Sequence, residues 1–222
     1  MCFKENDMMD QEVEIISSAT RKEKIINFFI NKKKTIIATV IFFLLILFGF
    51  IFYQEYEEGH RERLANKYNL TIIEYESGDK SKVLNSMKDI IEDKDKTYSP
   101  LAFYYLLDND LITSKEEINN YFDILINEIG LDNENKNLTI FKKGLFNSEF
   151  ANENELLNIL NPVIKSESIW KPHALYLMAE YYFAKKEKQK SKEFLELLVS
   201  LEDVSTKIKL EAQKRLRSDF SE

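Results

Sequence analysis

The chain has 222 residues, of which 44% are hydrophobic and 31% are charged, and its formal net charge is −7. Five glycines and three prolines are few for this length, and the sequence lacks the alternation of β-branched and polar residues that predicts strands. This composition favours long helices. The acidic balance argues against nucleic acid as the main partner.

Residues 1–34 form a polar leader whose basic residues gather near its end. Six lysines and arginines accompany a single acid between Arg21 and Lys34. Residues 1–20 show little periodicity, and we expect disorder there apart from a short helix near Gln11–Ile16. The segment Arg21–Ile30 mixes charges with isoleucine and phenylalanine, which is typical of an amphipathic turn at a lipid surface. Docking of a partner is the alternative.

Residues 35–54 contain no charged residue. At about 1.5 Å per residue, about 20 residues reach about 30 Å, which matches the hydrocarbon core of a bilayer. We therefore predict a transmembrane helix. A core helix of a soluble protein and a cleaved signal peptide are the alternatives. The all-round apolar character argues against the first, and the long leader and the lack of a small-x-small site after Tyr53 argue against the second.

The charges on either side of this segment predict its orientation. The basic cluster precedes it, whereas Glu55, Glu57 and Glu58 follow it. Because positively charged flanks stay in the cytoplasm, we expect a cytoplasmic N-terminus. Residues 55–222 then form an exported domain.

Apolar residues recur at helical spacing throughout the predicted exported domain. Ser114 and Glu117 have the spacing of a capping box, and Gly130 is placed to end a helix. The helices come in pairs that repeat about every 35 residues, which indicates an α-solenoid. The predicted helices are Glu55–Glu76, Lys80–Glu92, Pro100–Asn109, Lys115–Ile129, Asn137–Phe146, Glu153–Leu160, Lys171–Lys185, Lys188–Leu201 and Ser205–Arg217.

Two segments of this domain resemble each other. Residues 98–104 and 170–176 share an aromatic start, a proline, an alanine and a tyrosine in register. Their offset is about twice the 34-residue period of tetratricopeptide repeats. Ala179 and Ser191 then fall where such repeats carry small residues, although Lys186 stands where glycine is common. The predicted fold is all-α, with one N-terminal transmembrane helix followed by a solenoid of degenerate tetratricopeptide-like helix pairs.

The sequence offers little for catalysis or for metal binding. The two histidines, His60 and His173, lack the spacing of a zinc site, and no phosphate-binding loop or nucleophile motif occurs. The single cysteine, Cys2, precedes the span and is more consistent with an idle thiol than with a lipidation site. We therefore expect no enzyme activity, no cofactor and no metal.

The remaining candidate is a groove on the inner face of the solenoid. If Ala179 packs closely against the next helix, helical spacing turns four residues of its own helix towards the inner face. The repeat offset of 72 residues gives the equivalent positions in the helix that starts near Pro100. The candidate groove residues are Leu101, Tyr104, Asp108, His173, Tyr176, Glu180 and Phe183, with Leu111 as the counterpart of Phe183. Tyrosines with acids suit a polypeptide that carries apolar side chains and some positive charge. The alternative is that the tyrosines only pack between repeats.

The layout of leader, uncleaved span, acidic flank and degenerate helical repeats resembles the bacterial ancillary SecYEG translocon subunit family, the YfgM-like proteins. Within Leu138–Leu198, the run HALYLMAEYYFAKKEKQKSKEFLELL is similar to the final repeats of that family. The resemblance implies an inner-membrane protein with a periplasmic domain. It also implies association with the SecYEG translocon and with a membrane-anchored peptidyl-prolyl isomerase-like chaperone, and handling of exported polypeptides. That family contributes no catalytic residues.

A scaffold for one dedicated envelope complex, such as the machinery of cytochrome c maturation, is the alternative function. Both are interaction proteins, and an enzyme is the third class. The partners separate the first two, since a translocon subunit contacts many exported chains and a scaffold contacts one complex.

Overall fold

The structure is a computed structural model. It describes the backbone of residues 3–76, 78, 80–202 and 204–220, and within these ranges the side chains from residue 30 onwards with those of Ile26 and Phe28. All regular structure in these ranges is helical, so the predicted all-α class is confirmed. In chain order the described helices are α1 (Phe3–Glu76), α2 (Lys80–Glu92), α3 (Tyr98–Asp108), α4 (Lys115–Asn127), α5 (Asn133–Asn147), α6 (Glu153–Ile164), α7 (Lys171–Ala184), α8 (Lys188–Ser200) and α9 (Thr206–Phe220).

The chain divides into two compact units, Met1–Arg61 and Glu62–Glu222. The first contains the predicted leader and span, and the second contains most of the predicted exported domain. Residues 1–20 were expected to be largely disordered, whereas the backbone is helical from Phe3 onwards. The physical reason is the lack of helix breakers, because the first glycine is Gly49 and no proline precedes the second unit.

One helix in the described part of the chain is long and apolar enough to cross a membrane. It is the stretch Ile30–Glu76 of α1, and its apolar window is not buried inside the protein. The Thr39 hydroxyl donates to the backbone oxygen of Thr35 at 3.0 Å. This bond satisfies the hydroxyl within its own helix, as an apolar surrounding requires. The first unit therefore holds the candidate membrane span that the sequence predicted.

The core of the second unit consists of three successive clusters of buried side chains. The first joins the end of α1 to α2, α3 and α4 around Met87 and Phe103. The second joins α5, α6 and α7 around Leu160 and Tyr182, and the third joins α7, α8 and α9 around Leu195. Each cluster involves helices that are neighbours in sequence. The unit is thus a linear stack of helices, as expected for a solenoid.

Small residues allow consecutive helices to approach closely at two places. Ser191 donates its hydroxyl to the backbone oxygen of Ala179 at 2.8 Å, so α8 meets α7 where the sequence predicted two small positions. Gly144 on α5 lies against Leu160 on α6, and a Cβ at residue 144 would overlap a Leu160 methyl carbon.

The helix ends follow local backbone chemistry. Gly130 has φ +66°, in agreement with its predicted role after α4. Lys186 also lies in the left-handed region, with φ +63°, although it has a side chain. The amide of Glu187 donates to the oxygen of Tyr182 at 2.9 Å, which closes the end of α7. Lys186 therefore occupies a glycine-type conformation at the position where glycine was expected.

Helix starts were predicted less accurately. Ser114 accepts a hydrogen bond from the amide of Glu117, as predicted, whereas both bonds of a capping box are present at Asn152 and Glu155. The predicted start of α5 at Asn137 is wrong because the structure starts this helix four residues earlier. Asp132 causes this earlier start, because its carboxylate accepts a hydrogen bond from the backbone amide of Asn135 and so caps α5.

Helix α6 runs through a proline to Ile164, beyond its predicted end at Leu160. Pro162 is exposed, whereas Val163 beside it is completely buried. Burial of the following turn therefore outweighs the lost amide of the proline.

Candidate functional site

The seven predicted groove residues lie on two helices, three on α3 and four on α7. Leu101 and Asp108 are exposed, and the other five are half-buried. They do not form one continuous surface. They fall into three environments, each completed by a different neighbouring helix.

Helix α9 covers the end of the candidate groove on α7. The guanidinium of Arg215 binds the Glu180 carboxylate at 2.7 to 3.0 Å and lies 4.8 Å from the centre of the Phe183 ring. Phe220 packs edge-on against Phe183, with 6.0 Å between ring centres. Burial raises the pKa of the Tyr176 hydroxyl in the same region. Three of the predicted residues are thus engaged by the chain itself.

An aromatic cluster from α5 and α7 forms the second environment. Trp170 stacks on Phe141 with 5.9 Å between ring centres, and His173 lies 5.2 Å from Trp170 and 5.8 Å from Phe141. Nδ1 of His173 is buried and has no hydrogen-bond partner in the described part of the chain. The His173 ring therefore packs against the rings of Trp170 and Phe141.

The loop before α7 holds this cluster in place. The Ser168 hydroxyl donates to the Glu134 carboxylate on α5 at 2.7 Å and accepts from the backbone amide of Trp170 at 3.1 Å. These bonds connect α5 with the start of α7. They fix the position of the indole ring over Phe141.

The third environment is an open cavity of about 540 Å³ between the C-terminal halves of α3 and α5 and the start of α4. Tyr104 and Asp108 line it, whereas Leu101 does not. The ammonium of Lys142 lies 3.6 Å from the centre of the Tyr104 ring. Burial lowers the pKa of Lys142 and raises that of Tyr104, whose hydroxyl is buried near Thr139.

The walls of this cavity are mostly apolar. Leu145 and Phe150 are 52% and 39% exposed, which is high for side chains of this size beside a core. Phe150 is covered on one face by the ammonium of Lys115, 3.8 Å from the ring centre. The large apolar side chains that line the cavity are Leu107, Phe122, Leu145, Phe146 and Phe150.

A second groove, which the sequence did not predict, lies between α4 and α6 with α5 as its floor. Two openings of about 590 and 290 Å³ share Lys143, Asn158 and Ile159 in their walls. Asn119 on the α4 wall and Asn147 on the α5 floor of this groove pair their amide groups at 2.8 and 3.2 Å. The second amide hydrogen of Asn119 goes to the backbone oxygen of Lys115, and that of Asn147 goes to the backbone oxygen of Lys143.

The described side chains provide surfaces that are suited to binding. No group of three or more His, Cys, Asp or Glu side chains in the described ranges is placed to hold a metal ion. The cavity beside α3 combines aromatic faces, apolar walls and carboxylates, which is the chemistry of polypeptide recognition.

Sequence reasoning missed the residues that complete these environments, above all Lys142, Phe150 and Arg215. One signal was present, since the basic pair Lys142 and Lys143 precedes the pair Lys214 and Arg215 by the repeat offset of 72 residues. Extending the self-comparison past α7 would have found this pair. That comparison would not have shown that the ammonium of Lys142 lies on the Tyr104 ring.

The chain was compared with protein-family models, with curated proteins and with solved structures, and none of the three comparisons found a match. The functional proposal therefore rests on the residues of this chain.

Proposed function

We propose that this protein is a non-enzymatic, single-pass protein of the bacterial inner membrane whose exported helical domain binds polypeptides. Its N-terminus is cytoplasmic and its tetratricopeptide-like domain is periplasmic. It acts as an ancillary subunit of the Sec translocon, a chaperone or adaptor for chains that emerge from SecYEG. A membrane-anchored peptidyl-prolyl isomerase-like chaperone is a further partner.

One observation carries this proposal. The chain that holds a candidate span also holds a helical unit with an open, aromatic-walled cavity, in which Leu145 and Phe150 remain exposed. Exposed apolar side chains of this size mark contact surfaces. The positive charges before the span and the acids after it support the proposed orientation.

Photocrosslinking in living cells tests the proposal. The full chain carries a photoreactive phenylalanine analogue at Phe150, inside the cavity, or at Leu197, an exposed position of similar size on α8 that serves as the matched control. We expect adducts with translocon subunits and with several exported chains at position 150, and none at position 197. Adducts with one stable envelope complex alone would replace this proposal with that of an assembly scaffold.

Topology is tested separately. A reporter that is active only outside the cytoplasm, fused after Glu222, should be active in the full chain. Activity of a cytoplasm-only reporter at the same position would contradict the proposed orientation.

A further inference from the structure

The cavity between α3, α4 and α5 has the size and the lining of a binding site. Its volume of about 540 Å³ lies within the range of about 300 to 1,000 Å³ that is usual for ligand pockets. Its apolar walls include two partly exposed side chains, Leu145 and Phe150. Water in such a cavity covers apolar surface that a partner side chain would bury.

The charge of the cavity is best understood by comparison with the equivalent place on α7. Asp108 and Glu180 are related by the repeat offset, and Tyr104 precedes Asp108 as Tyr176 precedes Glu180. Glu180 holds Arg215 in a two-pronged ion pair. Asp108 is exposed and makes no ion pair within the described ranges.

The lysines of α5 are used differently. By the repeat offset Lys143 is the counterpart of Arg215, and it pairs with Asp123 on α4 at 2.7 Å. The ammonium of its neighbour Lys142 lies on the Tyr104 ring. The other charged groups that line the cavity are Lys115, which lies on Phe150, and Glu149. Glu180 on α7 thus has its ion-pair partner from α9, whereas its counterpart on α3, Asp108, is left available for a cation of another molecule.

We infer that this cavity binds a helical segment of a partner polypeptide that presents an arginine or lysine about one turn away from a large apolar side chain. The cation pairs with Asp108, and the apolar side chain packs on Phe146 and Phe150. The chain itself contains such a segment, because α9 places Arg215 on Glu180 and Phe220 on Phe183. The inference rests on the proposed polypeptide-binding function and adds its location and the chemistry it selects.

Lys142 is the resident competitor of the partner cation. Its ammonium lies in the field of Asp108 and over the ring that a partner would approach. Binding therefore displaces it. Removing this charge without shortening the side chain, as in Lys142→Met, should strengthen binding several-fold.

The test uses the full chain in nanodiscs and a fluorescein-labelled, amidated peptide with the sequence of Thr206–Phe220 as the probe, followed by fluorescence anisotropy. We expect Asp108→Asn to weaken binding about tenfold or more, since a charge-assisted pair is lost. Glu167→Gln is the matched control, because it removes the charge of an exposed carboxylate in the loop before α7, away from the cavity. This variant should bind the probe as the wild type does.

Three results would overturn the inference: no binding by the wild type, binding unchanged by Asp108→Asn, or an equal loss of binding with Glu167→Gln. A probe in which glutamine replaces the arginine equivalent to Arg215 should bind about tenfold more weakly in every variant that retains Asp108. Circular dichroism of each variant verifies that the fold is intact.

The outcome can be separated from that of the proposed function. Crosslinks to exported chains at Phe150 without any effect of Asp108→Asn leave polypeptide binding in place and refute the cation-specific site. Binding of the probe through Asp108 without translocon crosslinks leaves the site in place and refutes the translocon assignment.

Discussion

Arg215 on α9 forms a two-pronged ion pair with Glu180 on α7, in which Nη2 lies 2.7 and 2.9 Å from the two carboxylate oxygens and Nε lies 3.0 Å from one of them. The same guanidinium also pairs with Asp219 one turn further along its own helix. This geometry connects two helices whose paired residues are 35 positions apart. It closes on α7 the surface that remains open on α3.

Replacing Arg215 by lysine should loosen α9. Lysine keeps the charge but cannot make the parallel bonds of the planar guanidinium, and both partners are partly exposed, so we expect a loss of only about 1 kcal/mol. The measurement is hydrogen exchange, which should become faster in the amides of α9 and stay unchanged in α2. Arg217→Lys, an exposed change on the same helix, is the control. Equal effects of the two changes would contradict the role given to Arg215.

Gly144→Ala should destabilise the second unit by about 1 to 3 kcal/mol, because the new methyl group would overlap the Leu160 side chain. Leu160 is completely buried, so its side chain is surrounded by other core residues. Thermal unfolding measures the loss. Ala151→Gly serves as the control, because it removes a buried methyl group instead of adding one. Ala151 lies just after the end of α5.

The contact between these two residues can be tested in a double-mutant cycle. Leu160→Ala alone should cost about 2 to 5 kcal/mol through the cavity it leaves, and the double variant should cost less than the sum, since the new methyl group occupies part of that cavity. Strict additivity would show that the two side chains do not meet.

Lys186→Gly should stabilise the chain by about 1 kcal/mol, because Lys186 is exposed and has φ +63°, where a Cβ is strained. The melting temperature should rise by about 2 to 4 °C. Lys192→Gly, the same chemical change inside α8, should lower it. A decrease for both variants would mean that residue 186 does not hold the left-handed conformation.

Glu153 should contribute to stability in a pH-dependent way. Its carboxylate accepts bonds from Lys190 at 2.9 Å and from the Tyr182 hydroxyl at 3.0 Å, and these partners lower the pKa of Glu153. The unfolded chain therefore takes up this proton first as the pH falls. The contribution is complete above the ordinary pKa of 4.5 and is lost as the pH falls through the lower folded value.

Glu153→Gln should therefore make the loss of stability below about pH 4.5 less steep, as measured by urea unfolding at a series of pH values. Glu167→Gln, at an exposed position in the loop before α7, should leave that slope unchanged. An unchanged slope for Glu153→Gln would refute the prediction. Burial, followed by the hydrogen bond to Glu153, raises the pKa of Tyr182 to about 12. This hydroxyl therefore stays protonated throughout the experiment.

The helices were largely predictable because their signals are local. Both bounds of α2 agree with the prediction, since its apolar residues lie on one face and a glycine turn precedes it. Ends that depend on burial were missed, as in α6, where the turn around Val163 continues past a proline. Whether such a turn is buried depends on helices elsewhere in the chain, which local spacing does not encode.

The candidate site was predictable only in part. Helical phasing placed Tyr104 and Asp108 on an accessible face of α3, and the structure puts both at one cavity. The groove on α7 was expected to be open, but the partners of Glu180 and Phe183 come from α9. Whether a helix such as α9 contacts the helix two positions before it depends on the rotation angle between successive helix pairs. No local pattern reveals that rotation.

Trp170 is the single tryptophan of the chain, and its ring rests on Phe141 at the junction of α5 and α7. Its ultraviolet emission therefore reports on one seam of the stack, whereas circular dichroism follows all helices together. The protein thus contains a built-in optical label. Comparing the two signals during unfolding would show whether neighbouring helix pairs separate before they melt.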